Sequence, residues 1–235
     1  MDVNKVYQTD CIKGLKQLNS NSIDFIITDP PYNKDKDYGE GINDNKSKQE
    51  FKLFNREWLS ECYRVLKEGH HLYFSCSPEQ IFYFHHLSFL EGFKFRHLLI
   101  WSTNECRGHM NERTWLRSYE PIFWIQKPGK SYGLFNNYPF SALDVINISS
   151  PHVNRKGEDK KVHIAQKPLK LFETIIKKST KENDLVLDPF IGSGVTAIAC
   201  KKLNRRFIGF DLSKENIEIC NERLSKVKGN IKGWI

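Results

Sequence analysis

The segment TDPPYN, residues 28–33, closes the apolar run SIDFIITD. Proline lacks a backbone N–H and cannot continue a central strand, so the element stops there and turns rigidly. A carboxylate, Asp29, and an aromatic ring, Tyr32, are left at the tip. That combination suits a planar amine. The Asp29 carboxylate and the Pro30 carbonyl can accept the two N–H groups of an exocyclic amine and draw its lone pair out of ring conjugation. Pro30 and Pro31 fix the backbone dihedrals that aim the carbonyl. Tyr32 offers a face on which an extruded base stacks. An amine held in this way can attack an electrophilic carbon directly, and positioning and electrostatics carry such a reaction. It requires no metal, covalent nucleophile or strong base.

A second group lies far along the chain. In DPFIGSGVTA, residues 188–197, Gly192, Gly194 and Ala197 fit G-x-G-x-x-G/A between a strand and a helix. Glycines at such a turn let backbone amides approach a ligand at a helix N-terminus. Asp211 ends the next strand, nineteen residues after Gly192, where a carboxylate can accept ribose hydroxyls. The cofactor is therefore nucleoside-containing, either a nicotinamide dinucleotide or S-adenosylmethionine. Asp188 decides toward the second, because an acid suits the ammonium of a methionine moiety and sits badly beside a pyrophosphate. The acid–Pro–Pro–Tyr tip agrees, since hydride transfer has no use for it.

These residues must be positioned by a scaffold. The 235 residues fit a single domain, 1–235, and 39% hydrophobic content is enough for a packed core. SIDFIITD suits a parallel strand covered on both faces. Phe51, Phe54, Trp58, Cys62 and Val65 recur at helical spacing, with Gly69 to close the helix. HLYFSC is a strand, SPEQ opens a helix that Gly92 ends, and FKFRHLLIW and EPIFWI are strands. Pro168 starts a helix, DLVLD and RRFIGFD are strands around the helix GVTAIACKKL, and Ser213 caps a last helix through Leu224. The alternation predicts an α/β, doubly wound, mostly parallel sheet of Rossmann-like type. Residues 33–50 read as a mobile loop. Residues 103–160, irregular on either side of EPIFWI apart from a short strand near 145–148, read as an inserted recognition region.

The net charge of +8 favours a polyanionic partner, nucleic acid first. The six cysteines form no C-x-x-C pair and no zinc pattern with the eight histidines, so buried, reduced thiols are expected. No apolar run has the length of a membrane span and the N-terminus has no signal-peptide character, which predicts a soluble, cytoplasmic protein without a membrane partner.

The order of motifs, TDPPYN, then the arginine-rich irregular region, then HIAQKPLKLFETIIKKST, DLVLDPFIGSGVTAIA and RRFIGFDLSKENIEICNERL, resembles the β group of amino-methylating DNA methyltransferases. FNREWLSECYRVLKEG and the LIW and YEPIFWIQKPGK segments resemble it too, so the likeness runs from about Tyr7 to Leu224. The resemblance implies S-adenosylmethionine as cofactor and a base flipped out of double-stranded DNA, with adenine N6 as acceptor and cytosine N4 as the rival. It implies catalysis by Asp29, Pro30, Pro31 and Tyr32. It implies cofactor contacts from Asp10, Cys11, Asp29, His163, Gln166, Lys167, Pro168, Asp188, Phe190, Gly192, Ser193, Gly194, Asp211 and Leu212. Arg107, Arg113, Arg117 and Arg155 are the DNA-binding candidates, and a cognate restriction nuclease and a homodimer are the implied protein partners. Ser102, Ile164 and Val195 depart from the family pattern at its periphery. Plainer roles stand beside these. Asp10 can cap a helix starting near Ile12, Asp211 can cap the helix at Ser213, and the arginines can be solvated charges, as can Lys201, Lys202, Arg205 and Arg206. RNA as substrate, a non-catalytic binding module and a nicotinamide oxidoreductase are the remaining alternatives.

Overall fold

The computed structural model describes residues 1–35, 44–107, 115–130, 143–150 and 166–227, with only the backbone of 104–107. The strands are β1 (Lys5–Gln8), β2 (Ile23–Thr28), β3 (Leu66–Ser75), β4 (Lys94–Arg107), β5 (Arg117–Gln126), β6 (Val145–Asn147), β7 (Leu185–Asp188) and β8 (Arg206–Asp211). The helices are α1 (Cys11–Lys16), α2 (Lys48–Val65), α3 (Ile81–Leu90), α4 (Leu169–Ser179), α5 (Val195–Lys202) and α6 (Lys214–Lys226).

The strands form one sheet in the order β1-β8-β7-β2-β3-β5-β4-β6. Its pairings are parallel except for the two that β5 makes with β3 and β4. The near-continuous apolar run of β2 is explained by its central place. Ile23 and Ile26 face a core shared with Leu15 of α1, Trp58 and Leu59 of α2 and Phe84 of α3. Phe25 and Ile27 face the opposite core, with Phe172 and Ile176 of α4, Ile198 of α5 and Cys220 of α6. Each fully buried side chain of this size contributes about 1.5–3 kcal/mol, so both layers are anchored through β2. The chain leaves β2 through α2 toward β3 on one face and leaves β7 through α5 toward β8 on the other. The carboxyl ends of β2 and β7 are thus the topological switch point, where open α/β sheets bind ligands.

Several expectations are adjusted by the structure. Gly69 does not close α2. Leu66 caps it in extended conformation, and Gly69 lies inside β3 with φ +76°, where β3 slips its register against β2. Helix α2 starts at Lys48, with a capping box between Ser47 and Glu50, so the end of the 33–50 segment is ordered; residues 36–43 lie outside the described part. The strand expected at EPIFWI is β5, which runs through the 103–160 span and places Ile122, Phe123 and Ile125 in the core. Strand β1 is too short and too polar to have been recognised in advance. Arg205 is not a solvated charge: it is 7% exposed, and its guanidinium donates to Thr180 Oγ1 at 2.9 Å and to the Thr180 carbonyl at 2.7 Å. Among the described residues, five cysteines are free and buried, and no helix is long and apolar enough to cross a membrane.

Candidate active site

A cavity of about 470 Å³ opens at the carboxyl ends of the central strands, and both sequence anchors line it. The TDPPYN corner and the glycine loop share this cleft because β2 and β7 are neighbours. A hydrogen bond ties them directly: Thr28 Oγ1 donates to Asp188 Oδ1 at 2.6 Å.

Asp188 ends β7 and is 3% exposed. The Phe190 N–H donates to it at 3.0 Å, and the Thr196 hydroxyl of α5 donates to its other oxygen. Burial pushes its carboxyl up to about 6, and the hydrogen bonds from Thr196, Thr28 and Phe190 oppose that rise. The loop that follows is closed by Ile191 N–H to the Phe210 carbonyl, 2.9 Å, and Gly192 N–H to Asp211 Oδ2, 3.0 Å. Two glycines there do different work. At Gly194, with φ +85°, an added Cβ would lie 2.2 Å from Cys220 Sγ, so this glycine permits close packing on α6. At Gly192, with φ +51°, a Cβ would meet nothing within 4 Å, because the residue faces the open cleft. The other oxygen of Asp211 accepts from Ser213 N–H at 2.9 Å and Asn216 Nδ2 at 3.1 Å. Asp10 accepts from Lys13 N–H at 3.0 Å, so it does cap α1, and it also lines the cavity beside Cys11.

Opposite the loop lies a cluster of charged and hydroxyl groups. The Tyr32 hydroxyl is 2.6 Å from Asp29 Oδ1 and 2.8 Å from Glu120 Oε1. Lys167 Nζ is ion-paired with Glu120, lies 3.2 Å from Asp29 Oδ1, and donates to the Tyr32 hydroxyl oxygen at 3.3 Å. The ammonium also sits 5.5 Å from the ring centroids of Tyr32 and Trp101. Burial raises the Asp29 carboxyl above the usual range; the Lys167 charge opposes this and the Glu120 charge adds to it. Burial pulls the Lys167 amine down, but the two carboxylates outweigh it and hold the amine above its ordinary value. Burial and both carboxylates push the Tyr32 hydroxyl well up. The corner is braced from behind by Gln80 Nε2, which donates to the Tyr32 carbonyl at 2.8 Å. Asn33 clamps Lys46 through Nδ2–H to the Lys46 carbonyl, 2.8 Å, and Lys46 N–H to Oδ1, 2.7 Å.

Pro30, Pro31, Gln166, Lys167, Phe190, Ser193 and Leu212 also line the cavity. Pro168 and Gly194 do not: Pro168 is the N-cap of α4, and Gly194 packs on Cys220. The Arg117 guanidinium pairs with Glu79, which Lys34 also reaches at 3.3 Å. His163, Arg113 and Arg155, and the side chain of Arg107, lie outside the described residues. Sequence reasoning missed Glu120, and with it the charge cluster. Its position as an acid at the head of the buried run PIFWI in β5 marks it as unusual, but nothing local shows what it meets.

A doubly wound sheet whose glycine loop, Asp211 and TDPPYN corner line one switch-point cleft is the frame of a cofactor-dependent group transferase. The particular family follows from comparison. Residues 23–222 match the DNA methylase family, and the chain belongs to it. The chain is 37% identical to the type II methyltransferase M.HpaI of Haemophilus parainfluenzae, over 92% of this chain and 72% of that protein. It is 32% identical to the type II methyltransferase M2.LlaDCHI of Lactococcus lactis subsp. cremoris, over 92% and 87%. Among solved structures, M1.HpyAVI in complex with SAM superposes with a TM-score of 0.71 at 29% identity, covering 94% of this chain and 98% of that one. The cytosine-N4-specific PvuII DNA methyltransferase shares the fold, with a TM-score of 0.74 at 19% identity over 96% and 87%. The protein is a DNA methyltransferase that uses S-adenosylmethionine. The cleft fits that cofactor: Gly192 leaves space where any side chain would stand, and carboxylates and apolar rings both line the walls.

Proposed function

We propose that this enzyme methylates the exocyclic N6 of an adenine everted from a specific duplex DNA sequence. The observation that carries the reading is the tip of β2, where Asp29, Pro30 and Tyr32 share one cleft with the glycine loop. N6 is paired and stacked in a duplex, so the base must leave the stack to reach that tip. Asp29 accepts one amine N–H and the Pro30 carbonyl the other, and the Tyr32 ring stacks on the base. The chemistry a bound S-adenosylmethionine supplies is an electrophilic methyl on a sulfonium sulfur, whose C–S bonding pair stays with sulfur as the N–C bond forms. Asp211 and Asp10 serve the nucleoside end, and the 188–193 loop with Gln166 serves the methionine end. Phe54, Trp101 and Phe172 line the same cavity, and their apolar surface excludes water and strengthens the hydrogen bonds inside.

An acid at position 29, where the resemblance associates serine with cytosine, supports adenine. The net charge of +8 supports salt-dependent binding to the duplex backbone. Base reading belongs to the 103–160 span, aided by the 33–50 segment. The type II description of the relatives supports a cognate nuclease with the same target and a cytoplasmic place of action; a homodimer is checked by sedimentation of the purified protein. To test the acceptor, mixed-sequence duplex DNA is incubated with methyl-labelled cofactor and the nucleosides are separated. Label on N6-methyladenine is the expected result. Label on N4-methylcytosine would replace this reading with its rival.

A further inference from the structure

We infer that Glu120 is a positioning residue: with Lys167 and the Tyr32 hydroxyl it forms a proton-sharing cluster that governs when Asp29 is free to accept the target amine. The inference rests on the amine-methylating reading and serves adenine or cytosine alike.

The argument is a count of hydrogens. The Tyr32 hydroxyl lies 2.6 Å from Asp29 Oδ1 and 2.8 Å from Glu120 Oε1. A hydroxyl carries one proton and can donate to only one of two acceptors. The Lys167 ammonium is spread over Glu120, Asp29 at 3.2 Å and the Tyr32 oxygen at 3.3 Å. With both carboxylates ionised, one of these two short oxygen–oxygen contacts therefore holds no hydrogen. One additional proton on the carboxylate pair fills both contacts. This is the general behaviour of two acids sharing one site.

The position of that proton decides function. On Asp29 it turns an acceptor into a donor facing the incoming amine. On Glu120, or absent, it leaves Asp29 able to accept an amine N–H. When the amine enters, its N–H takes the place of the tyrosine proton at Asp29, and the Tyr32 hydroxyl remains held by Glu120. The base ring therefore finds Tyr32 already tethered. Asp29 is also faced by Lys167 from the segment before α4, Asp188 from the end of β7 and the Cys76 thiol that follows β3. Among the described residues, Glu120 is the negative group that shares a hydroxyl with Asp29.

The test begins without DNA, on the full chain labelled with carbon-13 at Asp and Glu side-chain carboxyls. The two carboxyl resonances are assigned with Asp29→Asn and Glu120→Gln. In the unsubstituted enzyme they should titrate as a coupled pair, one of them above the range of an ordinary carboxylate. Glu120→Gln removes a like charge, so the Asp29 titration should fall by on the order of one unit. The acid limb of kcat/KM should move down with it, while S-adenosylmethionine affinity by calorimetry stays within about twofold. Glu120→Asp keeps the charge and should leave the acid limb in place. Two ordinary, independent titrations in the unsubstituted enzyme would overturn the inference without any variant. So would an Asp29 titration unmoved in Glu120→Gln, or a loss of activity equal at every pH. Coupled titration in a protein that labels no DNA amine would instead retire the methylation reading and leave the proton sharing intact.

Discussion

Asp29 and Asp188 are the same residue type, at or just beyond the carboxyl ends of adjacent parallel strands, in walls of one cavity. Their partners differ. The donors to Asp188 are the Thr28 hydroxyl, the Thr196 hydroxyl and the Phe190 N–H, carried by β2, α5 and a loop hydrogen-bonded to β8. The donors to Asp29 are a tyrosine hydroxyl and a lysine ammonium, both of which have a second partner in Glu120. Asp188 is 3% exposed, whereas the Asp29 side chain is 21% exposed and opens to the cleft. Rigid neutral donors make a carboxylate part of the frame. Exchangeable donors leave it ready to trade a partner for a substrate. The identity of the acid does not distinguish the two roles, but the identity of its donors does.

The largest effect tests the exchangeable acid. Asp29→Ala should lower kcat by roughly 10²–10³-fold or more, the scale of removing one preorganised group at a reacting centre. Thermal stability should stay near that of the unsubstituted enzyme, since the cleft side of Asp29 is partly open. Single-turnover methylation and a melting curve on one preparation check both halves. A variant that melts early would move Asp29 into the frame and erase the contrast.

The glycine loop separates along the same line. Gly194→Ala places a Cβ against Cys220 at φ +85°, and strain with overpacking should cost about 2–3 kcal/mol in urea unfolding. Gly192→Ala meets open space at φ +51°, so its stability cost should be about 1 kcal/mol. Its main effect should be weaker S-adenosylmethionine binding, measured by calorimetry. Equal affinity in the two variants would deny that Gly192 lines the working surface.

These contrasts show what was legible beforehand. The frame was, because it is written in local pattern. The unbroken apolar run of β2 meant burial on both faces, and the Gly192–Gly194 spacing meant a tight turn between a strand and a helix, where the cavity lies. Asp29 was legible through the prolines that follow it. Glu120 was not, because its role depends on β5 running antiparallel between β3 and β4 and bringing a residue 88 positions away onto the Tyr32 hydroxyl. For the same reason nothing in IAQKPL shows that the Lys167 amine reaches the corner of β2. Thr28 and Thr196 escaped because they act only as a pair closing on Asp188. Local signals fix elements, whereas the charge cluster is a product of long-range register.

Acid titration gives the frame a smaller, signed test. The Asp188 carboxyl is raised to about 6 in the folded protein from a value of 3.8. The folded state thus binds this proton more tightly than the unfolded state. The stability it contributes is complete below about pH 4 and is lost as pH rises through about 6. Asp188→Asn removes the titration. The advantage of the unsubstituted protein over Asp188→Asn should therefore be greater at pH 4 than at pH 7, by on the order of 1–3 kcal/mol. Urea midpoints of both proteins at the two pH values check this. An advantage that grows with pH would mean that the donors to Asp188 outweigh its burial.

The smallest effect concerns Arg117, which belongs to neither acid. Its guanidinium pairs with Glu79 at the surface, and Lys34 reaches the same carboxylate. Two cations on one acid leave an excess positive charge beside the mouth of the cleft, where Lys34 itself lines the wall. An exposed ion pair contributes about 0–1 kcal/mol, so Arg117→Ala should change stability by no more than that. If the excess charge meets a phosphate, the same substitution should weaken duplex binding uniformly across sequences and reduce the slope of log affinity against log salt by about one. An unchanged slope would assign Arg117 to the frame as the partner that holds Glu79 beside Ser77, at the start of the turn whose Gln80 braces Tyr32.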